Sequence, residues 1–191
     1  MKSISIIEAL LHLGCGTSSH EKLPAGFRRS DWRGIRFNID NIDTDVRPDI
    51  IGTMIDMSAV ETGSMDALYS SHNVEHLYDL EVPVAFAEFL RALKPGGFAV
   101  ITCPDLQSIG QLSAEGKLED AAYTAPAGPI TPLDILYGYR PSIARGNHFM
   151  AHRTGYTSET LGQRLHRAGF AKVTVTKGEC FDLWARADKA A

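Results

Sequence analysis

The chain has 191 residues, 44% of them hydrophobic and 22% charged, which suits one soluble globular domain with a proper core. Its formal charge of −4 argues against a general nucleic-acid or anionic-membrane surface. No apolar run approaches the roughly 20 residues that span a bilayer.

Cys15, Cys103 and Cys180 are odd in number and far apart, which indicates a reducing compartment without a disulfide framework. The opening Met-Lys-Ser-Ile-Ser-Ile-Ile is interrupted by Glu8 and precedes no small-residue cleavage site. No signal peptide is expected, and the location expected is cytoplasmic.

Ala9 to Leu13 reads as a short buried strand running into Gly14-Cys15-Gly16. Glycine permits a positive-φ turn and close approach of a ligand. In an open parallel sheet, such a turn lies at the carboxyl edge, where nucleotide-like ligands bind. Residues 17–34 read as a polar loop with at most a short helix. Arg36 to Asp40 alternates and ends in an acid, giving strand two. Pro48 to Gly52 suggests a short strand three, although Asn41 to Arg47 is brief for a parallel crossover. Asp66 to Ser70 is strand four. Val82, Phe86, Phe89, Leu90 and Leu93 form one helical stripe, started by Pro83 and stopped by Lys94-Pro95-Gly96-Gly97. Phe98 to Cys103 is a continuous apolar run, as in a strand buried on both faces.

Residues 105–155 break this rhythm, with short helices expected at 106–117 and 131–138. A long irregular excursion at a sheet's carboxyl edge suits a lid or substrate-binding segment within a single 1–191 domain; the alternative is a mobile surface insert. Thr157 then caps a helix with Leu161, Leu165 and Ala168 inward and Gly169 as its stop. Ala171 to Thr176 and Cys180 to Ala185 make a closing antiparallel hairpin.

At the end of strand two, Asp40 is placed to accept both hydroxyl hydrogens of a ribose seated against the glycine turn. Ser19 stands where a dinucleotide fingerprint needs its third glycine, and the P-loop Gly-Lys-Ser/Thr is missing. A ligand with a ribose and no phosphate therefore fits better. His72-Asn73-Val74-Glu75-His76 spells the H-x-x-E-H of some zinc peptidases. That chemistry needs both histidines on one helix face, whereas here the run leaves a strand directly, so no metal is expected. Cys15 and Cys103 read as small buried residues. Glu75 and His76 either orient the loop beside the ligand or serve in structural hydrogen bonds.

Leu13-Gly14-Cys15-Gly16, Asn38-Ile39-Asp40, the run from Asp66 to Leu77, Leu90 to Gly97, Pro104-Asp105-Leu106 and His152 to Thr157 together resemble a class I S-adenosylmethionine (SAM)-dependent methyltransferase, in the compact type-11-like branch that begins almost directly at strand one. The resemblance covers nearly the whole chain. It implies an α/β, Rossmann-like open sheet of order 3-2-1-4-5-7-6, with strand seven antiparallel and helices on both faces. It implies SAM as cofactor and S-adenosylhomocysteine as product. It sets the backbone of Gly14, Cys15 and Gly16 against the methionine part of SAM, Asp40 on the ribose, Asn41 with Met54, Ile55 and Asp56 around the adenine, and Ser71 and His72 beside the sulfonium. Thr53 departs from the acid many relatives carry in that turn.

The reaction expected is methyl transfer to a small-molecule acceptor, achieved mainly by positioning. His72, His148 and His152 are the candidate bases. Tyr137, Tyr139, Arg140, Arg145 and Arg153 are candidate acceptor contacts, and their arginines point to an anionic acceptor. Two other readings stay open. One is a SAM-binding partner protein without catalysis; the other is a nicotinamide-dependent oxidoreductase, which Ser19 disfavours.

Overall fold

A computed structural model describes residues 8–15, 23–28, 32–38 and 48–191. Nine strands and five α-helices occur among them. The strands are β1 (Glu8–Leu13), β2 (Trp32–Asn38), β3 (Ile50–Ile51), β4 (Met65–Ser71), β5 (Leu93–Pro104), β6 (Tyr123–Ala125), β7 (Gly128–Ile130), β8 (Lys172–Lys177) and β9 (Asp182–Asp188). The helices are α1 (Val82–Ala92), α2 (Leu106–Ala114), α3 (Pro132–Tyr137), α4 (Arg140–Ala144) and α5 (Ser158–Arg167).

Seven strands form one sheet in the order β3-β2-β1-β4-β5-β9-β8, and β6 and β7 form a separate hairpin. With that hairpin left out of the count, this is the expected order. β1, β2, β3, β4 and β5 run parallel. β9 is antiparallel to both β5 and β8.

Period-two alternation distributes β1 between two apolar layers. Leu11 and Leu13 join Leu68, Ile101, Phe86 and Phe89 of α1, and Leu161 and Leu165 of α5, in the main core. Leu10 faces the other way, with Ala67 and Tyr69, against Leu23 and Phe27. Phe27 is carried by a 3-10 turn, Ala25–Phe27.

The chain differs from its sequence reading in several places. β5 starts at Leu93, directly after α1, because Leu93 pairs with Met65 before the register shifts to Ala67–Phe98. Lys94 to Gly97 bulges out between these pairs. Gly96 takes a φ of 76°, and the Lys189 ammonium caps α1 by donating to the Leu90 and Leu93 carbonyls at 2.8 and 2.6 Å, as a cation at a helix C-terminus should. β2 starts earlier than expected, at Trp32, inside the stretch read as loop, and ends at Asn38. The 41–47 connection lies outside the described residues. α4 and the β6–β7 hairpin were not expected.

The 105–155 excursion has its own apolar cluster, built on Ile109, Ile130 and Ile135. α3 opens with a capping box in which Thr131 and Asp134 exchange hydrogen bonds. The same Asp134 carboxylate accepts from Arg140 Nε at 2.9 Å and is buried. Burial works against its charge, but the Arg140 and Thr131 donors outweigh it and lower its pKa to about 2. Because the folded-state pKa lies below the unfolded value, this contribution is full above about pH 4 and is lost as pH falls toward 2. Asp134→Asn should therefore cost about 2 kcal/mol at pH 7 by urea unfolding, with the difference from wild type closing between pH 4 and 2. A pH-independent difference would mean that the charge is not what stabilises this corner.

Candidate active site at the carboxyl edge of the sheet

β1 ends at Leu13, and Gly14 turns the chain with a φ of 58°. The space a Cβ would take at Gly14 is filled by the Asn73 side-chain amide. Asn73 Nδ2 donates to the Leu13 carbonyl at 3.0 Å and to Ser70 Oγ at 3.4 Å. The missing side chain at Gly14 thus admits Asn73, a residue the sequence reading had passed over. Cys15 is buried. Gly16, Asp40 and Asn41 lie outside the described residues.

The turn after β3 reaches the same edge. Met54 and Ile55 pack half-buried on the main core. Asp56 is exposed, and its carboxylate accepts from the Ser58 N–H at 3.1 Å; the Ser58 hydroxyl and then this N–H lower its pKa.

β4 ends at Ser71, whose hydroxyl lies 3.0 Å from Thr102 Oγ1 of β5. His72 follows with a φ of 50°, and its N–H donates to the Thr102 carbonyl at 2.9 Å. Its half-exposed ring sets Nδ1 3.3 Å from Oε1 of the buried Glu75. Desolvation disfavours the imidazolium, but the Glu75 carboxylate outweighs it and raises the His72 pKa. Glu75 feels the converse: burial opposes its charge, while His72, His76 and His152 favour it, and its pKa falls.

A cavity of ≈ 200 Å³ opens beside Glu75, lined also by Ile135, Tyr137, His152, Arg153 and Gly155. A Cβ at Gly155 would meet the Leu106 side chain and force it to shift. Of the three candidate histidines, His152 lines this cavity, His72 approaches Glu75, and His148 is exposed in a 3-10 turn, His148–Met150. Desolvation lowers the His152 pKa.

The acceptor candidates separate in the same way. Tyr137 and Arg153 line the cavity. Arg153 also donates to the His76 carbonyl at 3.1 Å and lies over the Tyr78 ring at 4.8 Å. Tyr139 donates its hydroxyl to the Ala127 carbonyl at 2.9 Å, and the Arg140 guanidinium is engaged by Asp134. Arg145 is exposed just past α4 and does not line the cavity. The reading also missed Tyr156, which is fully buried and donates to the Val74 carbonyl at 3.3 Å. A lone aromatic just before a helix carries no periodicity that would mark it.

Gly14→Ala should cost about 2–4 kcal/mol, combining a left-handed backbone with overpacking. Asn73→Ala should cost about 1 kcal/mol for its hydrogen bond. The double variant, by urea unfolding, should cost clearly less than the sum, because the collision is gone. Strict additivity would mean that Asn73 does not occupy that space.

Residues 11–101 match the family model of a methyltransferase domain. No curated protein matches the chain. Among solved structures, a SAM-dependent methyltransferase from Methanosarcina mazei superposes with a TM-score of 0.61 at 16% identity, over 97% of this chain and 93% of that one. A protein from Pyrococcus horikoshii gives a TM-score of 0.65 at 14% identity, over 99% and 85%. The 1,6-didemethyltoxoflavin-N1-methyltransferase of Burkholderia thailandensis, solved with bound 1,6-didemethyltoxoflavin and S-adenosylhomocysteine, gives 0.60 at 14%, over 96% and 71%. The methyltransferase-domain model matches residues 11–101, and the described residues share the fold of these solved structures, SAM-dependent methyltransferases among them.

Proposed function

We propose that the protein transfers the methyl group of SAM to a small-molecule acceptor and releases S-adenosylhomocysteine. The observation that carries this reading is the meeting of three segments at one sheet edge: the Gly14 turn after β1, the 53–56 turn after β3, and Ser71-His72 after β4. Ligands of open α/β sheets bind at such an edge. The Burkholderia enzyme of the same fold is solved with S-adenosylhomocysteine.

In this reading the backbone of Gly14, Cys15 and Gly16 meets the methionine part, Asp40 holds the ribose, and Asn41, Met54, Ile55 and Asp56 surround the adenine. Ser71 and His72 flank the sulfonium. The cofactor supplies an activated methyl. An acceptor lone pair forms the new bond as the C–S bond breaks, and the electron pair stays on sulfur. The chain's task is in-line positioning and exclusion of water. His72 is the base where the acceptor must lose its proton early.

The 105–155 segment is the lid over the acceptor. Support for Tyr137 and Arg153 as its contacts is that both line the ≈ 200 Å³ cavity. The Arg153 cation favours an anionic group on the acceptor. Asp40→Ala should weaken SAM binding by about 1–3 kcal/mol, read by calorimetry; unchanged affinity removes the ribose assignment. Release of S-adenosylhomocysteine across an acceptor panel should be greatest with carboxylate- or phosphate-bearing compounds. Turnover of neutral acceptors alone removes the anionic preference, and no turnover with any acceptor removes the catalytic reading.

A further inference from the structure

We propose that Glu75, His76 and His152 form a three-ligand site for a divalent transition-metal ion, with an open coordination position toward the cavity. One ligand atom from each residue lies within 4.8 Å of the other two. Tetrahedral ligands at zinc distances stand about 3.4 Å apart, so closure draws the ligand atoms together by up to about 1.4 Å.

The chemistry of the three side chains supports a metal. Glu75 is 1% exposed, and neither carboxylate oxygen has a hydrogen-bond partner among the described residues. A carboxylate so placed is costly unless a cation meets it. His72 stands at ion-pair distance from Oε1, in a geometry that makes no hydrogen bond. The two imidazoles are already set as ligands. His76 Nδ1 lies 3.1 Å from the Ala151 carbonyl, and His152 Nδ1 lies 2.8 Å from the Ile135 carbonyl. A carbonyl only accepts, so each Nδ1 carries a proton, and in the neutral rings each Nε2 keeps its lone pair. This is the outer-shell arrangement that metal-bound histidines use.

The backbone holds the ligands together without a metal. Arg153 and Thr154 N–H groups donate to the Glu75 carbonyl at 2.8 and 3.1 Å. Glu75 and His152 line the cavity, so an ion there would have access to solvent and to a ligand atom from a bound small molecule. Two imidazoles and one carboxylate suit Zn²⁺, Fe²⁺ or Co²⁺ over Mg²⁺ or Ca²⁺. The peptidase-like spelling of residues 72–76 misplaces the set: His72 belongs to the strand end, Glu75 is a ligand, and the third ligand comes from the far end of the excursion. The inference stands apart from the methyl-transfer reading, since neither SAM nor an acceptor enters its test.

The test uses the tag-free, chelator-stripped full chain with Co²⁺ and then Zn²⁺. The expected result is one Co²⁺ per chain with ligand-field absorption of a four- or five-coordinate ion, displaced by Zn²⁺, and a raised Tm. Glu75→Gln and His152→Ala should each weaken Zn²⁺ binding at least about 100-fold, while His166→Ala on α5 should leave it unchanged. In wild-type imidazole ¹⁵N spectra, Zn²⁺ should move two Nε2 signals, a readout that holds even if a variant fails to fold. The absence of stoichiometric binding, binding that survives in both folded variants, or unmoved Nε2 signals would overturn the site. Glu75 would then be balanced by an imidazolium alone.

Discussion

The site depends on the fastening of residues 152–156 to the turn after β4. Val74–His76 is a single 3-10 turn, too short to use all its own carbonyls. The Glu75 carbonyl takes two N–H groups, from Arg153 and Thr154, and the Val74 carbonyl takes the Tyr156 hydroxyl. Buried carbonyls must be met, and here the partners come from more than seventy residues away. Asp105 bridges to Tyr156, and Leu106 N–H donates to the Tyr156 carbonyl at 2.9 Å. The excursion therefore leaves and returns at adjacent points on the sheet edge. Once its ends are tied, its length costs little, because loop-closure entropy grows only logarithmically.

Within those ends the excursion is held by local devices. Its apolar cluster draws on α2, the β7 end and α3, apart from the main core. The α3 capping box and the Asp134–Arg140 pair lock one corner. At its root, Asp105 caps α2 and pairs with Lys177 of β8 at 2.9 Å. A segment with a small separate core can loosen without the sheet unfolding, which would widen access to the cavity beside Glu75.

Much of the sheet was legible because its signals are local. The apolar run at Phe98 to Cys103, the helical stripe from Val82 and the Thr157 cap each carry their own period or capping chemistry. What escaped the sequence reading was tertiary. Lys94-Pro95-Gly96-Gly97 reads as a helix stop, yet whether β5 begins before or after it depends on Met65 pairing with Leu93. Arg140 reads as a free cation until Asp134 is beside it. Glu75 and His152 carry no shared pattern; only the fold brings them to one cavity. Gly14 reads as a positive-φ turn open to a ligand; the turn is there, and only the fold reveals that the missing side chain also admits Asn73.

That last point joins two features of the edge that look separate in sequence. β1 and β4 are neighbours, and both leave the sheet through a left-handed residue, Gly14 and His72. At Gly14 this conformation costs nothing. At His72 it carries strain, and such strain persists only where the surroundings fix the backbone. They do so here: the His72 N–H is held by the Thr102 carbonyl, and the chain reversal sends Asn73 back over β1, where it donates to the Leu13 carbonyl. A side chain at position 14 would block that return. The glycine and the strained histidine are thus complementary halves of one junction, which closes the β1–β4 seam and leaves the His72 ring half-exposed at the edge.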